Sequence, residues 1–136
     1  MLRKKDPAIQ RTIVIHSLLA AYALLGCVSI TSEEIESHLD TIIGLLENEP
    51  APLINWHIFS KDGTRRGEIG GILENAEMNV IVHVETINTK KHFVFYDGAY
   101  ARARRRISSM LPYEETDNLI VTMTRALQKL PLGSLE

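Results

Sequence analysis

The residues best suited to chemistry are four arginines clustered in the last third of the chain. They are Arg102, Arg104, Arg105 and Arg106. On a helix, Arg102, Arg105 and Arg106 fall together on the outer side, with Arg104 at the flank. Guanidinium groups bind phosphate and carboxylate through forked pairs of hydrogen bonds, and no acidic residue lies within this helix to occupy them. The cluster therefore predicts a surface that binds an anionic partner, either a nucleic acid or an acidic protein surface.

Other basic residues are candidates for the same surface, and their contribution depends on where the fold places them. They are Lys90, Lys91, Arg65 and Arg66. The alternative interpretation is that the arginines are solvated or pair with the acidic side of the second helix, in the same chain or in a partner. The formal net charge of −2 agrees with this alternative, because a nucleic-acid-binding domain is commonly basic overall.

A second set of residues combines histidine with glutamate. In the strand register given below, His57, Glu68 and His83 form a row across three strands of a sheet. Such side chains bind zinc and other transition metals. Adjacent strands are about 4.8 Å apart, so the two histidines would start roughly 10 Å apart, which is wide for a shared metal. Cross-strand ion pairs are therefore the favoured interpretation, and a small metal-dependent or acid–base enzyme is the alternative.

Other catalytic motifs are absent from the sequence. It has no Gly-x-Gly-x-x-Gly, no Walker loop, no Gly-x-Ser-x-Gly and no His-Glu-x-x-His. We therefore expect a non-enzymatic binding protein without a cofactor or a bound metal.

The sheet that carries the histidine row is predicted from three two-residue turns. The predicted strands are Leu53–Ser60, Arg66–Leu73, Met78–Thr86 and Lys91–Tyr96, joined at Asp62-Gly63, Asn75-Ala76 and Asn88-Thr89. Side chains alternate between faces along a strand, and all three turns predict the same apolar face. That core face is Ile54, Trp56, Ile58, Ile69, Leu73, Met78, Val80, Val82, Val84, Phe93 and Phe95. The opposite face carries Phe59, Ile72, Ile81 and Val94, which makes a protein-interaction adaptor or chaperone a further alternative.

Four helices flank the predicted sheet. The first runs from about Pro7 to Leu25, with Asp6 as its N-cap and Gly26 as its stop. The second opens with the capping box of Thr31 and Glu34. The third covers about 98–111 with Asp97 as its cap, and the fourth about 114–130. The sequence thus predicts an α+β fold in which two N-terminal and two C-terminal helices pack mainly on one face of a four-stranded antiparallel meander, in the order ααββββαα.

The first helix is apolar on most of its sides. Such a helix lies in a core, a dimer interface or a membrane. A chain of 136 residues has few ways to surround it, so we expect a homodimer. The basic start and apolar run resemble a signal or anchor segment, but the Asp6-Pro7 helix start and the polar pair His16 and Ser17 favour a buried helix over membrane association.

Composition predicts one domain and a reducing compartment. Residues 1–132 have the length of a single α+β domain, and residues 133–136 read like a cloning remnant. The chain has one cysteine, Cys27, and therefore no internal disulfide, which favours the cytoplasm.

Overall fold

A computed structural model gives the backbone of residues 6–46 and 65–130, and the side chains of residues 6–46 and 69–130. Within these ranges the chain forms five helices and three strands. In order they are α1 (Pro7–Leu24), β1 (Ser29–Ile30), α2 (Ser32–Leu46), α3 (Arg65–Met78), β2 (Val82–Ile87), β3 (Lys90–Phe95), α4 (Ala99–Ser108) and α5 (Tyr113–Gln128).

The apolar helix α1 is the centre of the core. Every residue from Ile13 to Tyr22 is buried, and α3, α4 and α5 of the same chain pack around the helix. Its start is as predicted, because the Asp6 side chain accepts a hydrogen bond from the Ala8 amide at 2.9 Å. The homodimer was predicted because a short chain has few ways to surround such a helix, and here α3, α4 and α5 of one chain do pack around it. The homodimer itself stays a prediction.

The sheet has three antiparallel strands in the order β1-β3-β2. The hairpin of β2 and β3 has the predicted register, with Val82 opposite Phe95 and Val84 opposite Phe93. It turns at Asn88 and Thr89, whose φ angles are 52° and 66°, as a type I′ turn requires. This part of the sheet prediction is confirmed.

The predicted four-stranded meander and its order ααββββαα are wrong. Residues predicted as the strand Arg66–Leu73 and the turn Asn75-Ala76 form helix α3 instead. The third strand of the sheet is β1, which precedes α2 and pairs with β3 through Ser29 and Ile30. The predicted strand Leu53–Ser60 and the turn Asp62-Gly63 lie outside the described residues.

The error in α3 has a simple physical origin. Ile69 and Leu73 are four residues apart, and this spacing puts two side chains on one face of either a strand or a helix. Both residues are buried, and Ala76, which completes a helical stripe, is buried as well. Misassigning α3 also misplaced its neighbours. Met78 and Val80, predicted in the core, are 81% and 46% exposed, whereas Ile81, predicted on the outer face, is buried.

The local signals at the other helix ends are mostly confirmed. Thr31 and Glu34 form the predicted capping box, in which the Glu34 carboxylate accepts from the Thr31 amide at 3.0 Å and the Thr31 hydroxyl accepts from the Glu34 amide at 3.2 Å. Asp97 does not cap α4. The N-cap is Gly98, at φ 80°, and it forms no side-chain cap hydrogen bond.

None of the helices in the described ranges combines the length and the apolarity that crossing a bilayer requires.

Candidate anion-binding site

Helix α4 is amphipathic and carries all four arginines. Ala103 and Ile107 are buried and lie on the side of α4 that packs into the core. The arginines are therefore directed to the flanks and the outer side, but they do not share one environment. Arg104 faces α5, whereas Arg102 and Arg106 face the end of α3.

Arg104 is neutralised by an acidic residue. Its Nε and Nη2 atoms donate to the two carboxylate oxygens of Asp117 at 2.7 and 3.0 Å, a bidentate pair. The guanidinium carbon also lies 4.6 Å from the centre of the Tyr113 ring. Hydrogen bonding to Arg104 lowers the pKa of Asp117, so the carboxylate stays ionised. The predicted pairing of arginine with acid thus occurs here, with α5 rather than with α2.

Arg102 and Arg106 are held by neutral acceptors. Arg102 Nη1 donates to the backbone carbonyls of Asp97 and Val80 at 2.8 and 3.1 Å. Arg106 donates from Nε to the Asn75 amide oxygen and from Nη1 to the Ser109 hydroxyl, both at 3.2 Å. These bonds fix the side chains without cancelling their charge.

Arg105 is exposed on the outer side of the helix. Among the described residues, its side chain forms no hydrogen bond or ion pair. No carboxylate in the described ranges is paired with Arg102 or Arg106 either. Three of the four predicted arginines therefore keep a positive charge that the described part of the chain does not compensate.

These three arginines line one shallow cavity, which we name the arginine pocket. It measures about 390 Å³ and is lined by Asn79, Val80, Arg102, Arg105, Arg106 and Ser109. No acidic residue is part of this lining. The pocket therefore combines three cations with amide and hydroxyl groups, the usual ligands of carboxylate and phosphate.

Val80 gives the arginine pocket an apolar rim in a strained conformation. Helix α3 ends in a Schellman motif, in which the Ile81 amide donates to the Ala76 carbonyl at 3.0 Å and the Val80 amide to Glu77 at 3.1 Å. The motif places Val80 at φ 58°, a region that favours glycine. Helix α1 ends in the same motif with Gly26 at the equivalent position, at φ 83°. A β-branched side chain is thus kept where the chain elsewhere uses glycine.

The remaining predicted basic residues are not part of the pocket. Lys90 lies at the end of β3 that is remote from α4, and its Nζ atom is 3.7 Å from the Glu33 carboxylate. Lys91 is exposed beside it. Arg65 and Arg66 begin α3, whereas the pocket lies at its other end, about 20 Å away along a helix of this length. The side chains of Arg65 and Arg66 lie outside those described.

The predicted histidine row is wrong. Glu68 belongs to helix α3 and not to a strand beside His83. His57 lies outside the described residues. His83 instead lies 3.8 Å from Glu85 on its own strand and 4.9 Å, between ring centres, from Tyr96. The described residues contain no group of three or more histidine, cysteine, aspartate or glutamate side chains that could hold a metal ion.

The predicted outer sheet face is not formed as expected. Ile81 is buried and Ile72 belongs to α3. Val94 does lie on β3, and Phe59 is outside the described residues. In the described part of the chain, Ile72 and Ile81 thus do not share an outer sheet face with Val94, and the adaptor or chaperone alternative itself stays a prediction.

Two buried histidines do not line the arginine pocket. The Tyr22 hydroxyl forms a buried hydrogen bond with His38 Nδ1 at 2.7 Å. His16, on α1, is fully buried, and its Nδ1 donates to the Thr12 carbonyl at 2.8 Å. Its Nε2 has no hydrogen-bond partner among the described residues. Burial lowers the pKa of His16 from 6.5 to about 4, the bond to Thr12 opposes this shift, and the charge of Arg106 adds to it.

Sequence reasoning missed the neutral residues of the site. Asn75, Asn79 and Val80 come from the end of α3, more than 20 residues before the arginines that they meet. No local pattern marks them, since their role depends on the packing of α3 against the chain. Ser109 alone carried a signal, because it lies three residues after Arg106, at the C-cap of the same helix.

No protein-family model, curated protein or solved structure matches this chain.

Proposed function

We propose that the protein is a non-enzymatic binding protein that engages an anionic partner through Arg102, Arg105 and Arg106. The observation that supports this proposal is the arginine pocket, whose lining contains these three guanidinium groups and no carboxylate. An anionic group of a nucleic acid or of an acidic protein surface would supply the missing counter-charge.

The arrangement favours binding for a second reason. Neutral hydrogen bonds already hold Arg102 and Arg106, so little side-chain freedom is lost when they meet a ligand. Arg105 is exposed and can turn toward an incoming anion. Two fixed cations and one adjustable cation suit a carboxylate or phosphate group that arrives from solvent.

A cytoplasmic location is part of the proposal. The chain has one cysteine, Cys27, which is a free thiol, and a chain without an internal disulfide suits a reducing compartment.

Fluorescence anisotropy with labelled polyglutamate and labelled oligothymidylate tests the proposal. We expect at least one of these polyanions to bind at low salt, and binding to weaken as salt rises. Replacing Arg105 by glutamine removes the charge of an exposed side chain, so we expect a large loss of affinity in a protein that stays folded. The triple variant Arg102→Gln, Arg105→Gln, Arg106→Gln should abolish binding.

Arg104→Gln is the matched control, because Asp117 already neutralises Arg104 on the same helix. Its affinity for the polyanions should remain that of the wild type. Polyanion binding that persists in the triple variant contradicts the proposal. The proposal is also contradicted if Arg104→Gln weakens polyanion binding as much as Arg105→Gln does.

A further inference from the structure

A second cavity adjoins the arginine pocket on the other side of Arg105. It lies between α4 and α5, measures about 490 Å³, and we name it the apolar groove. Ile120 and Tyr100 line it, and it is bordered by Leu24 and Val121, which are 54% and 44% exposed. Leu24 and Val121 thus place apolar side chains beside the charged residues of the groove, so an occupant can contact both kinds of group.

Arg105 lines both cavities. The apolar groove also contains Arg104 and Asp117, but they neutralise one another as a bidentate pair. Arg105 is therefore the one cation shared by the two cavities that no described residue compensates. An occupant of the groove that carries a negative charge at this point would match the surface in both charge and polarity.

We infer that the anionic partner is a protein segment in which an acidic residue lies between apolar residues. Its carboxylate binds Arg105 and the other two arginines of the arginine pocket. The apolar side chains on either side of the acid contact Val80 at the arginine pocket, and Leu24 and Val121 at the apolar groove. This inference rests on the proposed function and specifies its partner. The strained Val80 supports it, because an apolar side chain at the rim contributes contact that glycine would not.

The surface suits a protein segment better than a nucleic acid. An extended polyphosphate needs a long track of cations, whereas Lys90 and Lys91 lie at the far end of β3. Glu114, in the first turn of α5, is exposed at the same end of that helix as the apolar groove residue Tyr113 and would repel further phosphates. One face of the Tyr113 ring is already covered by Arg104, so that face is closed to base stacking.

Selection from a random peptide library displayed on phage tests this inference without knowledge of the natural partner. We expect the enriched peptides to share an aspartate or glutamate flanked by leucine, phenylalanine or tryptophan. The affinity of an enriched peptide, measured by fluorescence anisotropy, should fall by about tenfold or more in Arg105→Gln, because a charge-assisted hydrogen bond is lost.

The double variant Leu24→Ser, Val121→Ser separates the inference from the proposed function. Both residues are half-exposed, so the fold should persist, and we expect about tenfold weaker peptide binding with unchanged polyglutamate binding. Val28→Ser is the matched control, since Val28 is exposed and apolar but does not line the groove, and it should bind the peptide as the wild type does.

The outcomes are distinguishable. The inference is overturned if the double serine variant binds the peptide with wild-type affinity, if the enriched peptides lack an acidic residue, or if no peptide is enriched. In each of these cases, polyanion binding that depends on Arg105 would still support the proposed function. If oligothymidylate binds more tightly than every enriched peptide, the inferred protein partner is wrong and a nucleic acid is the better assignment. If Arg105→Gln changes neither the affinity for the peptide nor the affinity for the polyanions, the inference and the proposed function are both overturned.

Discussion

Replacing His16 by leucine should make the stability of the protein less sensitive to acid. A carbonyl oxygen only accepts hydrogen bonds, so the bond to Thr12 requires the proton on Nδ1, and the neutral ring leaves Nε2 as a lone pair. Protonation would add a buried Nε2–H group for which the described residues offer no acceptor, close enough to Arg106 for the two charges to repel. The folded protein therefore strongly favours the neutral ring.

The size of the effect follows from the pKa values. The pKa of His16 is 6.5 when the chain is unfolded and about 4 when it is folded. Between these values the unfolded state binds more protons, so the free energy of unfolding falls as the pH falls. The contribution of His16 is fully present above pH 6.5, declines below it, and is largely lost by about pH 4. A shift of this size corresponds to a loss of about 3 kcal/mol.

Urea unfolding followed by circular dichroism, at a series of pH values from 7 to 4, measures this loss. Leucine has a similar volume, and the helical amide of residue 16 still satisfies the Thr12 carbonyl, so the variant should lie within about 1.5 kcal/mol of the wild type at neutral pH. Other histidines and the carboxylates titrate in both proteins and cancel in the difference. If wild type and variant lose stability in parallel over this range, the reasoning about His16 is refuted.

Three further predictions concern α3 and α4. Val80→Gly should raise the free energy of unfolding by about 0.5–1 kcal/mol in urea titrations, because glycine relaxes the positive φ; a loss of stability would contradict the strain. Gly71→Ala should also raise it by about 0.5–1 kcal/mol, since Gly71 is exposed in a helix with open space around it; a destabilised variant argues against helix α3. Arg104→Gln should lower the thermal midpoint slightly by removing the pair with Asp117, and less so in high salt, as calorimetry can show; a decrease that salt does not reduce excludes an ionic cause.

The parts of the fold that the sequence predicted correctly are those with local determinants. The turn at Asn88 and Thr89 sets the register of β2 and β3, because the residues on either side of it must pair in order. The capping box at Thr31 and Glu34 involves residues only three apart. Both signals act before any tertiary contact forms, so a reading of neighbouring residues is sufficient.

Helix α3 and the arginine pocket could not be predicted in this way. Glycines at positions 67, 70 and 71 lower helix propensity, yet burial of Ile69, Leu73 and Ala76 against the core outweighs them. The pocket then depends on α3, since Arg102 reaches the Val80 carbonyl across 22 positions of sequence. The arginines were visible in the sequence, but the difference between neutralised Arg104 and uncompensated Arg105 appears only when α3, α4 and α5 are in place.

The central position of α1 has a consequence for how the protein is made in a cell. Synthesis begins at the amino end, so α1 leaves the ribosome long before α4 and α5, which form much of its surroundings. Until they arrive, the buried stretch from Ile13 to Tyr22 has no complete core to enter. The nascent chain therefore exposes the most apolar of the described helices until α4 and α5 have followed it, and exposed apolar surface of this kind makes a partly made chain prone to aggregation.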